Sequence, residues 1–280
     1  MRRGYKIRNH LTGWRLLVVP LALAAVVMLA NPASAHVVYA RGFTYASGSD
    51  CTHQYSEISH GSYGYGYWKD VTKAFYHTDR FGDCSIPWYR PNGSLRNQIQ
   101  TWYYYKSWKI CDATNYFYNT STAYSFTLAR TWSDPPHCGA HYYADNAGGW
   151  DWNGDWHGRY FWSGQHWLPT TASLETGPES LRTADRSSTA PPNPRWVNPD
   201  GTVDLNKLPK RIPLGGPDGN PLRNSDGSIK TIDSSVLFAP PSSPPGTDPN
   251  ANVAPPGAQV HRSVTRDADG LLVEQVDIIE

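Results

Sequence analysis

The sequence predicts an all-β fold: a small antiparallel β-sandwich, or a barrel-like variant, held by two disulfides and followed by a largely disordered tail. Three observations predict it. Residues 36–170 hold 33 aromatic residues and alternate apolar with polar side chains, as strands do. All four cysteines lie in the same part of the chain. Residues 171–280 hold 16 of the 23 prolines and two aromatic residues, too little apolar surface to offset the entropy of ordering.

Residues 1–35 are predicted to be an export signal. Five cations precede an apolar run of 15 residues, and the run is followed by Ala33, Ser34 and Ala35, which form a cleavage motif. The run is shorter than the roughly 20 residues that a membrane-spanning helix needs. We therefore expect cleavage after Ala35, a secreted extracellular protein, and no stable membrane span in the mature chain.

Strands are predicted along the whole aromatic-rich domain. In three stretches, Val, Tyr, Phe and Thr alternate with small or polar residues. The sequence NTST, in the last of them, predicts a turn between two strands. The stretches are residues 36–47, 95–110 and 115–132.

A hairpin and one helix complete the predicted elements. Asn153 and Gly154 lie between aromatic flanks in residues 150–162, and both residue types tolerate the positive φ of a tight turn. Residues 68–77 space Trp68, Val71 and Phe75 along one helical face, which predicts a short helix.

Two disulfides are predicted from the even number of cysteines in an exported chain. Three pairings of Cys51, Cys84, Cys111 and Cys138 are possible, and we favour the sequential one, Cys51–Cys84 with Cys111–Cys138. Each bridge stabilises a fold by roughly 2–4 kcal/mol. A zinc site is not favoured, because no CxxC spacing occurs.

The tail repeats a short theme, Asp-Gly followed closely by an apolar residue. It occurs in NPDGTV, GPDGNPL, NSDGSI and DADGLL, and each copy predicts a turn. The copies do not match the ligand spacing of an EF-hand calcium loop. The tail is therefore predicted to be a spacer or an envelope-associated extension.

Charge and motifs exclude several functions. Residues 36–170 carry ten cationic and ten acidic side chains, whereas a nucleic-acid binder needs a basic face, so we expect no nucleic-acid partner. The common nucleophile, phosphate-loop, dinucleotide and zinc-protease motifs do not occur. A glycosidase needs two facing carboxylates; the domain offers nine aspartates, with Asp151 and Asp155 beside the Asn-Gly turn, but a single glutamate, Glu57, so this class is disfavoured rather than excluded. These observations favour a protein that is not an enzyme, and we expect no cofactor.

The abundance of Tyr and Trp favours a non-catalytic binding module. Flat rings with a polar edge suit stacking on sugars, so the expected partner is an extracellular polysaccharide or another envelope component. The alternative role of these rings is a tightly packed core. The candidate ligand-binding residues are Tyr65, Tyr67, Trp150, Trp152, Trp156, Tyr160 and Trp162.

A copper protein is the second hypothesis. Cleavage after Ala35 would leave His36 as the first residue, and its α-amine and imidazole together chelate Cu(II). This arrangement resembles the copper brace of lytic polysaccharide monooxygenases and the N-terminal site of periplasmic copper-binding sandwiches. The resemblance implies a second histidine, taken here as His141, with three other candidates: His137, His157 and His166. A third hypothesis is a secreted, envelope-active antibacterial factor.

Overall fold

The computed structural model describes residues 37–45, 50–60, 66–76, 84–105, 107–132, 142–144, 149–152, 155–163, 166–167, 193–216, 220–238 and 251–280. Most of these residues lie in strands, and the one α-helix among them has five residues. The all-β prediction is confirmed.

The elements are numbered along the chain. Those before residue 168 are β1 (Val37–Tyr45), β2 (Asp50–His60), β3 (Gly66–Tyr76), β4 (Ile86–Pro87), β5 (Leu95–Asn97), β6 (Gln100–Tyr105), β7 (Ser107–Ala113), β8 (Phe117–Tyr118), β9 (Ser125–Trp132), β10 (Tyr142–Ala144), β11 (Gly149–Trp152), β12 (Asp155–Gly158) and β13 (His166–Trp167). Those after residue 192 are a 3₁₀ turn (Leu205–Lys207), β14 (Arg211–Pro213), β15 (Thr231–Asp233), α1 (Ser234–Phe238), β16 (Gln259–Arg266) and β17 (Leu272–Ile279).

The strand predictions from periodicity are confirmed, with one refinement. The stretch 36–47 contains β1, and 115–132 contains β8 and β9 on either side of the predicted turn. The stretch 95–110 is divided among β5, β6 and β7, because the chain reverses between Tyr105 and Ser107, which pair with each other. In the predicted hairpin, Trp152 of β11 lies opposite Asp155 of β12.

The largest sheet is mixed rather than antiparallel. Its strand order is β1-β2-β3-β9-β17-β16, and β4 also pairs with β3. Neighbouring strands are antiparallel except for β9 and β17, which run parallel. The antiparallel part of the prediction is thereby corrected. The reason is that β17 comes from the far end of the chain and reaches β9 by a long connection instead of a hairpin turn.

The helix predicted over residues 68–77 is wrong, because this segment is the central strand β3. It pairs with β2 on one side and with β9 on the other. Alternate side chains are buried: Trp68, Asp70, Thr72 and Ala74. The polar members of this series hide its period of two, so the spacing of the apolar residues alone suggested a helix.

The first core cluster lies where the largest sheet meets two four-stranded sheets. Those sheets have the strand orders β13-β10-β6-β7 and β12-β11-β5-β8. Because the buried side chains of one strand all point to the same face, each sheet contributes alternate residues. The cluster comprises Ile58, Trp68, Ala74, Leu95, Ile99, Tyr103, Phe117, Phe126, Leu128, Val276 and Ile278.

The flexible tail predicted over residues 171–280 is not confirmed for its last strands. β16 and β17 form a hairpin whose second strand is part of the largest sheet. Glu274, Val276 and Ile278 are fully buried, in alternation with less buried residues. Composition concealed this strand, because a proline-rich neighbourhood and acidic side chains surround a short period-two pattern.

A buried carboxylate holds β17 in place. Glu274 accepts hydrogen bonds from the backbone and hydroxyl groups of Thr120 and Ser121, at 2.6–3.0 Å, and forms an ion pair with Arg262. Burial raises the pKa of Glu274, but the hydrogen bonds from Ser121 and Thr120 and the contact with Arg262 outweigh burial, and the pKa lies below its usual value.

A buried cation lies at the end of the same strand pair. The Arg130 guanidinium of β9 is fully buried and pairs with Glu280 at 2.8 Å and with Asp112 at 2.6 Å. Glu280 also donates its backbone N–H to the carbonyl of Thr131 at 2.9 Å. The side chain of Arg130 thus connects β17 both to its neighbour in the sheet and to β7.

The second core cluster joins the aromatic-rich part to residues 193–238. The first part supplies tryptophans and Ile110, and the second supplies aliphatic residues and Phe238. The backbone N–H of Trp162 donates to the carbonyl of Gly201 at 2.8 Å, and the Gln100 amide donates to that of Leu237 at 3.0 Å. The cluster comprises Trp102, Trp108, Ile110, Trp162, Val203, Ile212, Leu237 and Phe238.

Three copies of the Asp-Gly theme form turns of one type, as predicted. Their glycines, Gly201, Gly227 and Gly270, have φ values of +82°, +81° and +78°, which L side chains rarely adopt. Each glycine donates its N–H to the carbonyl three residues earlier. The last copy closes the β16–β17 hairpin, and the tip of the fourth, residues 217–219, lies outside the described residues.

One of the two predicted disulfides is confirmed. Cys51 at the start of β2 is bonded to Cys84, with a Cα–Cα distance of 6.0 Å. Cys111 lies in β7, whereas Cys138 lies outside the described residues. The Cys111–Cys138 bridge therefore stays a prediction.

Candidate functional site

Three of the predicted binding residues lie in the β11–β12 hairpin, of which the structure describes the backbone. Trp150 is paired with His157, and Asp151 with Trp156. Because partners across a strand pair share a face and successive residues alternate, positions 150 and 152 belong to one face and position 156 to the other. The register thus divides the predicted set of tryptophans between two faces.

Two further predicted binding residues lie at the second core cluster: Trp162 belongs to it and Tyr160 packs against it. Trp162 is 2% exposed, and its ring lies 5.0 Å from that of Trp108 and 5.6 Å from that of Trp102. Tyr160 is half-buried, and its hydroxyl lies 2.9 Å from that of Tyr116. The prediction of exposed rings at these two positions is corrected: both rings pack inside the fold.

The remaining predicted positions divide between described and undescribed residues. Tyr65, His36 and His141 lie outside the described residues, so their predicted roles in ligand and copper binding stay predictions. Within the described ranges, no group of three or more His, Cys, Asp or Glu side chains is placed to hold a metal ion, and no helix is long and apolar enough to cross a bilayer. Tyr67 lies in β3.

Tyr67 belongs to a surface that we call the ring face, the outward side of β1, β2 and β3. Even-numbered residues of β2 and β3 point into the first core cluster, so the odd-numbered residues point away from it. The register then places aromatic, cationic and acidic side chains next to one another. The ring face comprises Tyr39, Arg41, Phe43, His53, Tyr55, Glu57, Tyr67, Lys69 and Lys73.

Small residues on the other side of β1 determine which way its rings point. Ala40 and Gly42 lie inward, and a Cβ atom at Gly42 would come within 2.7 Å of the Phe161 ring. The inward side of β1 therefore has no room for large side chains. The large residues of the strand, Tyr39 and Phe43, are 53% and 45% exposed.

The rings of the ring face form two contacts between β1 and β2. Tyr39 and Tyr55 stack with their centroids 5.5 Å apart and their planes 26° apart. Phe43 and His53 lie 4.9 Å apart at 34°. Since both contacts follow from strand register, the rings are fixed by the sheet rather than by loops.

Lys69 and Glu57 fix the polar groups between the rings. The Lys69 ammonium lies 2.9 Å from the Glu57 carboxylate and 5.6 Å and 5.9 Å from the ring centroids of Tyr55 and Tyr67. The Tyr55 hydroxyl also donates to Glu57. The Lys69 ammonium thus contacts a carboxylate and two aromatic rings at once.

The phenols of this network stay protonated at neutral pH. Burial and the charge of Glu57 raise the pKa of Tyr67 to about 12. Burial, followed by the hydrogen bond to Glu57, raises the pKa of Tyr55 further. Both hydroxyls therefore remain hydrogen-bond donors, and the rings remain uncharged.

The sequence prediction missed Tyr39, Phe43 and Tyr55. The alternation in residues 36–47 was visible, and its small inward residues at 40 and 42 were the available signal for which face is outward. Tyr55 gave no such signal, because its place beside Tyr39 depends on the register of β1 against β2.

No protein-family model, curated protein or solved structure matches this chain.

Proposed function

We propose that the protein is an exported, non-catalytic module that binds an extracellular polysaccharide on the ring face. The observation that carries the proposal is the stacked pair of Tyr39 and Tyr55, of which Tyr39 is 53% exposed on the flat side of a sheet. Contiguous exposed apolar patches on a folded domain mark interaction sites, and this pair lies beside the exposed ring of Phe43 on the same strand face.

The chemistry of the surface fits sugars better than it fits a purely apolar ligand. A sugar ring has an apolar C–H face that packs on an aromatic ring and hydroxyls that need hydrogen-bond partners. On the ring face, the donors of Tyr55, Tyr67 and Lys69 and the carboxylate of Glu57 lie beside the rings. Because the sheet fixes these groups beforehand, binding costs little ordering of side chains.

Export accords with the same function. The predicted signal of residues 1–35 precedes a domain in which Cys51 and Cys84 form a disulfide, and disulfides persist in oxidising compartments. The proposal includes the second bridge, Cys111–Cys138, and a sandwich-like packing of the sheets.

The test is binding of the mature chain to insoluble polysaccharides, measured by co-sedimentation with cellulose, chitin and peptidoglycan. We expect Tyr39→Ala to weaken binding by about 1–2 kcal/mol, or roughly fivefold to thirtyfold in Kd, without lowering the thermal midpoint. Tyr39→Phe keeps the ring and should bind as the wild type does.

Tyr89→Ala is the matched control, because Tyr89 is a 37% exposed ring outside the ring face. Equal binding by Tyr39→Ala and the wild type would contradict the proposal. If Trp150→Ala or Trp152→Ala then weakened binding, the β11–β12 hairpin would be the binding surface.

A further inference from the structure

One end of the ring face is cationic. His53 lies directly opposite Phe43 of β1 and opposite Lys73 of β3, and Arg41 is the next outward residue of β1. Arg41, His53 and Lys73 thus occupy adjacent positions on three neighbouring strands. We call these three residues the cationic corner.

Two cations of this corner have no carboxylate partner among the described residues. Lys69 is neutralised by Glu57, but no ion pair within the described ranges involves Arg41 or Lys73. Asp267 lies close to Lys73 without forming an ion pair with it, and the pKa of this carboxyl is lowered by hydrogen bonds from Leu271 and Tyr124 and also by the charge of Lys73.

The pKa of His53, which lies between the two cations, reflects burial and their positive charge. Burial, followed by the charges of Lys73 and Arg41, lowers the pKa of His53. The corner is therefore positive even while its imidazole is neutral, and an anion placed there would replace a missing counter-charge.

We infer, on the basis of the proposed function, that the ligand is an acidic polysaccharide in which each sugar carries a carboxylate. Arg41 lies between the exposed rings of Tyr39 and Phe43 on one strand, and outward residues of a strand are about 7 Å apart. A sugar stacked on either ring thus has its substituents beside the Arg41 guanidinium, which binds carboxylates in a bidentate manner.

The alternation of rings and cations favours an acidic polysaccharide over a neutral polysaccharide and over a poly(glycerol phosphate) chain. A neutral polysaccharide uses the rings but leaves Arg41 without a counter-charge and Lys73 with only the nearby Asp267. A poly(glycerol phosphate) chain supplies charges but no sugar ring in its backbone to stack on Tyr39 or Phe43. A polymer with a ring and a charge in every unit satisfies both features.

The experiment compares polygalacturonate with its methyl ester, two polymers with the same backbone and different charge. Isothermal titration of the mature chain should show at least tenfold tighter binding of polygalacturonate. The difference should disappear at about 1 M salt, where the screening length falls to about 3 Å.

Two variants locate the effect. Arg41→Gln and Lys73→Gln should each weaken binding of polygalacturonate threefold to tenfold and leave binding of the ester unchanged. Lys207→Gln is the matched control, since Lys207 is an exposed cation outside the ring face and is paired with Asp204.

The outcomes separate the two proposals. Equal binding of the two polymers, weakened by Tyr39→Ala, overturns the acidic ligand and keeps the polysaccharide module. Tighter binding of poly(glycerol phosphate) than of polygalacturonate overturns the choice of carboxylate. Absence of binding to either galacturonan and to the insoluble polysaccharides overturns both proposals.

Discussion

Two segments of the proline-rich half join the aromatic-rich half by different means. The β16–β17 hairpin joins through backbone pairing and buried charges, with Glu274 and Arg130 at its contacts. Residues 193–238 make scattered backbone hydrogen bonds, such as that from Trp162 to Gly201, and join chiefly through packing, because Val203, Ile212, Leu237 and Phe238 fill a cluster of tryptophans. The comparison shows that a segment poor in aromatic residues still completes a core when its few apolar residues fall at the right positions.

The two attachments differ in how they fail. A backbone-paired strand with buried charges depends on every partner, since an unpaired buried charge is costly. An aromatic cluster loses contacts in proportion to the atoms removed and relaxes around the gap.

Removing the buried carboxylate should have the largest effect. Glu274→Gln removes the charge that pairs with Arg262 and places an amide where four donors of Thr120 and Ser121 point, so we expect the free energy of unfolding to fall by about 3–5 kcal/mol. Urea denaturation followed by tryptophan fluorescence measures it. Asp277→Asn, on the less buried side of the same strand, should change stability by less than about 0.5 kcal/mol. A loss in Glu274→Gln as small as that in Asp277→Asn would show that the buried carboxylate does not hold β17 in the sheet.

A cavity in the second core cluster should cost less. Leu237→Ala is expected to lower the free energy of unfolding by about 2 kcal/mol, the low end for such changes, because a five-residue helix can settle toward the gap. Val236→Ala, at a neighbouring position that is 65% exposed, should be nearly neutral. A separate early transition in Leu237→Ala would mean that residues 193–238 unfold independently of the sheet.

The Asp-Gly turns allow a matched comparison of the two segments. Gly227→Ala and Gly270→Ala introduce the same strain of about 1 kcal/mol, since both glycines have positive φ and open space around the added Cβ. Native-state hydrogen exchange should show global destabilisation for Gly270→Ala, whose turn closes the main-sheet hairpin. For Gly227→Ala we expect faster exchange confined to residues 220–238. A global effect of equal size in both would remove the distinction between the segments.

Acid should weaken the hairpin attachment selectively. The pKa of Glu274 is lower in the folded than in the unfolded chain, so its contribution is complete above the unfolded value of about 4.3 and is lost as pH falls through the folded value. The denaturation midpoint of the wild type should therefore decline below about pH 4 more steeply than that of Glu274→Gln. Parallel declines would assign the acid sensitivity to other carboxylates.

Local patterns predicted much of the strand content, because period two is visible wherever buried positions are apolar. β1, β9 and the β11–β12 pair were recognised in this way. The pattern failed in β3, where Asp70 and Thr72 occupy buried positions, and in β17, where Glu274 does. A buried polar residue with partners elsewhere in the chain looks like a surface residue in the sequence.

The candidate site was predictable only in its chemistry. The sequence predicts exposed Tyr on a sheet, but it does not tell that Tyr39 is exposed and Trp162 is buried. Exposure depends on which face of each strand meets the core, and contacts between distant strands determine that face. Trp162 is buried because residues 193–238 pack against it. The sequence near position 162 contains no signal of this packing.

The parallel pairing of β9 and β17 also bears on the order of synthesis. β9 lies in the middle of the largest sheet, yet the contact that fixes its second neighbour joins Thr120 to Glu274, 154 residues later. A growing chain can assemble β1, β2, β3 and β9 early, but β9 then presents an unpaired edge, the kind of edge that recruits other chains. A ribosome that stops before residue 272 releases a product with this edge open, so such fragments should aggregate rather than fold.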